Sequence, residues 1–291
     1  MADTSASLKN GAPEISSGAP VHKGSKMANP FKKLTAGSGS RTEILAMIGV
    51  GLVFLSIWEF LPPLLDVPRY IIPTFSNCLE EFGRMMQREN LMGHFMSTLI
   101  SALVGFALGG LLGAASGYLL GLSSLWERVL SPYILALQIA PKVAFAPLFI
   151  MWFGYNAIPK LLVTVLIVFF PILVNVLQSM KTVDRDLVNL ARVYSMNRLT
   201  IFRKIEVPSS LPNLFAGLRI GATLAVIGVT VGELVGGNTG LGFLISYGEG
   251  QANTAMVFNA IFLLTVIGIA LYFAVAAVEK RVLHYLVRED H

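Results

Sequence analysis

Six apolar stretches, 44–62, 96–121, 129–153, 161–180, 213–235 and 256–278, alternate with short polar segments along the chain. A helix needs about 20 apolar residues to cross the hydrocarbon core of a bilayer, so each stretch predicts one transmembrane helix. The implied fold class is an all-α polytopic membrane protein, its membrane domain covering 44–285. The first stretch closes with Trp58 and then Pro62-Pro63, an aromatic interface anchor followed by a helix stop. Between the first two spans, the segment SNCLEEFGRMMQREN is amphipathic but too polar to cross. It is expected to lie along the membrane surface.

One polar segment is unlike the others. Residues 181–212 form a charged island with six basic residues (Lys181, Arg185, Arg192, Arg198, Arg203, Lys204) and three acidic ones (Asp184, Asp186, Glu206). Inside it Leu187, Leu190, Ala191 and Tyr194 fall at helical spacing, and Asp184 stands where an N-cap is needed. Ser195-Met196-Asn197 interrupts the pattern. Leu199, Phe202 and Ile205 resume it, and Pro208 is expected to stop it. The prediction is a two-part amphipathic helix between spans, a shape suited to being held by a partner.

The spans carry their own irregularities. The second has glycine at every fourth position: Gly105, Gly109, Gly113, Gly117 and Gly121. Small residues so spaced let another helix approach closely in lipid, either within one subunit or at a subunit interface or moving gate. The fifth repeats the device more loosely with Gly217, Gly221, Gly228, Gly232 and Gly236. The third holds Pro132, Pro141 and Pro147, with Gln138 and Lys142 beside the central proline. Irregular backbone at membrane depth belongs where it is buried or lines a cavity, and an intramembrane lysine is expensive. Two readings of Lys142 stand: it lines a pathway, or it pairs with an intramembrane acid such as Glu233. Arg219 sits close enough to the end of the fifth span to snorkel, and with Gln138, Pro141, Lys142 and Glu233 it completes the pathway candidates. Glu233 lies in GELVGGNTGLGFL, whose glycines predict a tight outer turn or a re-entrant loop.

Composition agrees with this pattern. Only 13% of the 291 residues are charged, against about 25% in soluble domains, and the mean hydropathy is +0.68. A pI near 9.3 would suit nucleic acid, but the basic residues lie between spans, so membrane topology and not nucleic acid accounts for them. With the N-terminus inside, inner segments hold sixteen Lys/Arg and outer ones four (Arg69, Arg84, Arg88, Lys160). Both termini and the island are therefore expected on the cytoplasmic side. Residues 1–40, rich in Ser, Gly, Ala, Pro and Lys, are expected to be a disordered cytoplasmic tail with no secretory signal peptide. Cys78 is the one cysteine, which rules out an internal disulfide. His22, His94, His284 and His291 show no metal-ligand spacing, and neither a phosphate loop nor a nucleophile elbow occurs. The chain is expected to be no enzyme, to hold no cofactor or metal, and to bind no ATP of its own.

The island resembles the cytoplasmic loop of ATP-binding cassette (ABC) importer permeases, which runs Glu-Ala-Ala, three residues, Gly, nine residues, Ile-x-Leu-Pro. Asn189-Leu190-Ala191 stands at the Glu-Ala-Ala position and Ser195 at the glycine, and Ile205-Glu206-Val207-Pro208 follows after nine residues. Three more stretches are similar to the nitrate/sulfonate/taurine branch of that family: PKVAFAPLFIMWFG (141–154), LPNLFAGLRIG (211–221) and GEL…GLGFLI (232–245). The resemblance implies a type I importer permease of the bacterial inner membrane with a cytoplasmic coupling helix. A homodimer would form the pathway among membrane lipid, separate cytoplasmic ATPase subunits would bind ATP, and an extracytoplasmic solute-binding protein would deliver substrate. It also implies an ATPase-docking set of Asn189, Leu190, Ala191, Arg192, Tyr194, Ser195, Arg198, Ile205 and Pro208, with Leu190, Ala191 and Tyr194 as its apolar contact.

The glycine of the family loop allows a sharp turn. Ser195 either adopts that conformation itself, at a cost of about 1 kcal/mol, or passes the turn to Asn197. Substrates implied by the resemblance are small anions of the nitrate or sulfonate kind, with vitamin and pyrimidine precursors as the alternative. Two other readings compete. One is a secondary transporter using Lys142 and Glu233 as an ion-linked pair, the other a membrane scaffold that transports nothing.

Overall fold

The structure is a computed structural model and describes residues 41–284, so the expected disordered tail at 1–40 lies outside the described residues. By its contacts the chain divides into two units. The described part of the first, 41–53, is the N-terminal half of helix α1 (Arg41–Leu64). The second unit, from Phe54 onward, holds the other helices. These are α2 (Phe75–Arg88), α3 (Leu91–Gly121), α4 (Ser124–Ile139), α5 (Ala146–Phe153) and α6 (Ala157–Lys181). After them come α7 (Arg185–Val193), α8 (Arg198–Ile201), α9 (Val207–Gly236), α10 (Leu241–Gly250) and α11 (Thr254–Val282). No strand occurs among the described residues.

Five helical stretches are long and apolar enough to cross a membrane, and a sixth span results if the bent pair Ser124–Ile139 and Lys142–Phe153 counts as one. The pair meets at 79°. Pro141 ends α4, a single 3₁₀ turn (Lys142–Phe145) follows, and Pro147 sits in the first turn of α5, where a missing N–H costs nothing. The prolines thus break the third span where the sequence predicts.

Helix α6 lies between α3 and α9. On its α3 side, a Cβ at Gly105 would meet the Thr164 side chain at 2.5 Å, and one at Gly113 the Phe169 carbonyl at 2.6 Å. Gly109, Gly117 and Gly121 likewise abut Val168, Val176 and Met180. On its α9 side, a Cβ at Gly228 would meet the Thr164 backbone at 2.7 Å, and one at Gly232 the Lys160 backbone at 2.5 Å. Both glycine stripes therefore pack inside one subunit, onto neighbouring sides of one helix: Thr164 meets both Gly105 and Gly228, and Val168 both Gly109 and Gly221, while Gly236 meets Ile150 of α5. Backbone approach this close is how helices gain contact in lipid, where apolar burial alone drives nothing. A second core joins α2, α3, α9, α10 and α11 through Met85, Ala102, Phe215, Leu244, Met256 and Ile267.

One sequence expectation changes. Pro208 does not stop the helix. A π turn, Phe202–Glu206, carries α8 into α9, and the span runs unbroken from Arg198 to Gly236. The wider turn bonds the Val207 N–H to Phe202 O, five residues back, so the helix re-forms with the proline in its first turn. Helix α2, expected along the membrane surface, is anchored through its inner face. It seats Cys78, Glu81 and Met85 inward, and Asn259 of α11 donates to the Cys78 carbonyl at 2.8 Å while Asn253 donates to Glu81 Oε1 at 2.7 Å. Burial pushes the Cys78 thiol up from its ordinary pKa, leaving it an inert packing residue.

Candidate functional site

The island folds as a helix–turn–helix. Asp184 caps α7 by accepting from the Asp186 N–H at 2.8 Å. At the other end the Ser195 N–H donates to Arg192 O and the Met196 N–H to Ala191 O, at 2.9 and 3.1 Å. This closure needs one left-handed residue after the helix. Ser195 supplies it, with φ 53°, so the turn is not passed to Asn197. Asn197 instead caps α8, accepting from the Thr200 N–H at 2.7 Å.

The two faces of α7 differ. Leu187, Leu190, Val193 and Tyr194 are exposed, as is Leu199 just beyond the turn. Ala191 is only 5% exposed, so it packs against its own chain and does not share the exposed face of Leu190 and Tyr194. Arg185, Val188, Asn189 and Arg192, at i, i+3, i+4 and i+7, line a cleft against the ends of α3, α4 and α6. Asn189 and Arg192 thus turn to the cleft. Arg198 reaches across it, donating to Leu122 O at 3.3 Å and lying 3.7 Å from Glu206 Oε1. Ile205 and Pro208 are half-buried in and after the π turn.

The broken span forms a second locus. Lys142 donates to the Gln138 carbonyl in the last turn of α4, and its ammonium lies 5.1 Å from the centre of the Phe170 ring. Around it Leu137, Phe145, Phe149, Trp152 and Phe170 enclose a cleft of about 240 Å³. Gln138 and Lys142 are half-buried here, and Pro141 is exposed.

Glu233 makes a third locus, in the last turns of α9 and not in the glycine loop. It is 0% exposed. Its Oε1 accepts from Lys160 Nζ at 3.1 Å, and its Oε2 from Thr98 Oγ1 at 2.8 Å and from the Gly242 N–H at 3.0 Å. Lys160 also donates to Ser97 at 3.0 Å, Thr98 accepts from the Leu241 N–H at 2.8 Å, and His94 Nδ1 accepts from the Gly240 N–H at 2.9 Å. Gly240 has φ +112°, and a Cβ there would fall 2.1 Å from the Glu233 carboxyl carbon. The partner of Glu233 is therefore Lys160 and not Lys142, which removes the ion-linked pair on which the secondary-transporter reading rests. Lys160 is a buried member of α6, only 7% exposed, and no marker of an outer loop. The usable signal was its place directly before the apolar run 161–180 and within the same helix. His94 was missed too, because nothing near it in sequence shows the loop that reaches it. Arg219 stands apart from both loci, ion-paired with Glu279 and 5.9 Å from the centre of the Tyr272 ring on α11.

Residues 105–284 match the family described as "binding-protein-dependent transport system inner membrane component". The chain is 36% identical over 229 residues to a riboflavin transport system permease protein of Chloroflexus aurantiacus, covering 79% of this chain and 85% of that one. It is 31% identical to a putative aliphatic sulfonates transport permease protein of Bacillus subtilis, covering 80% and 84%. It is 34% identical to a formylaminopyrimidine transport permease protein of Halalkalibacterium halodurans, covering 79% and 91%. In fold it is similar to a chain of the MetNI methionine ABC transporter in inward-facing form, with a TM-score of 0.60 and 20% identity over 68% of this chain and 98% of that one. The chain belongs to the binding-protein-dependent transport system inner membrane component family. It is a multi-pass inner-membrane permease of an ABC importer, a class that works with an ATPase and a solute-binding protein.

Proposed function

We propose that α7, the Ser195 turn and the start of α8 form the surface on which an ATPase subunit docks, and that this surface, with both chain termini, faces the cytoplasm. The observation that carries the reading is a row of exposed apolar side chains, Leu187, Leu190, Val193, Tyr194 and Leu199, on a helix too short to be stable alone. Such a row suits a partner's groove, and a partner that moves can drive the helix as a rigid body. ATP would then be bound by that partner, and the permease would work as a homodimer. Co-reconstituted with its ATPase and binding protein in proteoliposomes, Leu190→Asp should lower ATP-driven uptake and ATPase stimulation at least tenfold. Unchanged uptake by that variant overturns the docking assignment.

The aromatic cleft at Lys142 supports one of the two substrate classes over the other. Four aromatic rings and one partly engaged ammonium suit a flat heterocycle better than a compact hydrated anion such as nitrate, which needs several polar donors. Two relatives are named for riboflavin and formylaminopyrimidine transport, and others for aliphatic sulfonates. Thermal shift of the cognate binding protein against both sets separates them. Stabilisation by a sulfonate alone would overturn the heterocycle assignment.

A further inference from the structure

The cleft behind α7 adjoins the docking surface proposed above, but none of that surface's exposed apolar side chains lines it. It encloses about 860 Å³ between the ends of α3, α4 and α6 and the inner face of α7. Five cations line it, Arg128, Lys181, Arg185, Arg192 and Arg198, against two carboxylates, Glu127 and Glu206. Both carboxylates are already engaged, Glu127 by Lys181 and Glu206 by Arg198. That leaves Arg128, Arg185 and Arg192 without a carboxylate at ion-pair distance among the described residues. Arg128 is tethered only through Nε, which donates to Ser124 O at 3.0 Å, so its terminal amino groups remain available. Three arginines lining one concavity offer the forked donors that match a phosphate.

Position says where that phosphate comes from. Three spans end or begin at the rim, at Gly121, Ser124 and Lys181, which is the depth of the lipid headgroups. Basic pockets between the ends of membrane helices suit anionic headgroups. The apolar face of α7, which a protein partner would grip, points the other way.

We infer that this cleft binds the phosphate of an anionic phospholipid headgroup, wedged between α7 and the span ends. One helix then meets two partners, lipid on the Arg185/Arg192 face and protein on the Leu190 face. A bound headgroup would brace α7 from behind, so the inference concerns regulation of the docking surface but does not need ATPase binding to be correct. It is tested on the full-length permease purified in detergent, by native mass spectrometry with added phosphatidylglycerol or phosphatidylcholine. The expected result is retention of phosphatidylglycerol over phosphatidylcholine, falling roughly fivefold for each arginine neutralised in Arg128→Gln and Arg185→Gln. The charge-keeping Arg128→Lys should retain most of it, and an unchanged thermal melt shows that the glutamine variants are folded. Equal retention of the two lipids, or undiminished phosphatidylglycerol on the double glutamine variant, overturns the inference. Displacement by millimolar inorganic phosphate assigns the site to free phosphate and overturns the lipid source. Displacement by the ATPase subunit makes the cleft a protein contact and overturns it as well.

Discussion

The span from Arg198 to Gly236 carries a glutamate near each end, and the two are held in opposite ways. Glu233 has both oxygens bonded, to Lys160, Thr98 and Gly242, with no distance above 3.1 Å. Glu206 is nearly as buried, at 7% exposure, yet its one ion pair is 3.7 Å long and its Oε2 has no hydrogen-bond partner. Glu206 also sits in the π turn, while Glu233 sits in regular helix. A fully satisfied buried charge resists any shift of its neighbours, because each lost bond uncovers a desolvated ion. A loosely held one gives way cheaply. One end of the span is pinned, and the end next to α7 is left able to yield.

The contrast can be broken most sharply at the pinned end. Lys160→Met leaves Glu233 as an unpaired buried charge and should destabilise the permease by about 3–5 kcal/mol, read as resistance to denaturant in detergent. Lys160→Met with Glu233→Gln keeps acceptors for Thr98 and Gly242 and should recover most of that loss. Gly240→Ala places a methyl against the same carboxylate in a left-handed backbone and should cost about 2–4 kcal/mol, checked by the same denaturation. Gly113→Ala, which crowds the Phe169 carbonyl on α6, should cost about 1–3 kcal/mol. At the yielding end, Glu206→Gln should change stability by less than about 1 kcal/mol, since a 3.7 Å pair contributes little. Ser195→Gly, which removes the left-handed strain at φ 53°, should stabilise the turn by about 1 kcal/mol, seen as slower amide hydrogen exchange across Tyr194–Asn197. A Glu206→Gln loss as large as that of Lys160→Met would erase the contrast.

The apolar helices, the broken third helix and the cap at Asp184 were readable because each rests on a local pattern. Proline placement, helical spacing and capping side chains act within a few residues of chain. The Lys160–Glu233 pair was not readable, since 73 residues separate its members and a lysine at the edge of an apolar run looks the same whether it faces water or a carboxylate. The direction of Ala191 escaped for a related reason. Helical spacing puts it beside Leu190, but only the position of the span ends decides which side of α7 is covered. Pro208 shows a local rule outweighed by another local device, the π turn that precedes it.

The two glycine stripes on α6 have a mechanical meaning. Helices α3 and α9 meet the same residues of α6 and touch each other, Gly110 against Leu218, so the three form one close-packed wedge. The rod from Arg198 to Gly236 is 39 residues long, roughly 58 Å at 1.5 Å per residue. If the three helices tilt as one body, a few degrees over that length would move the Gly240 loop by several ångströms, with the close glycine contacts holding them together.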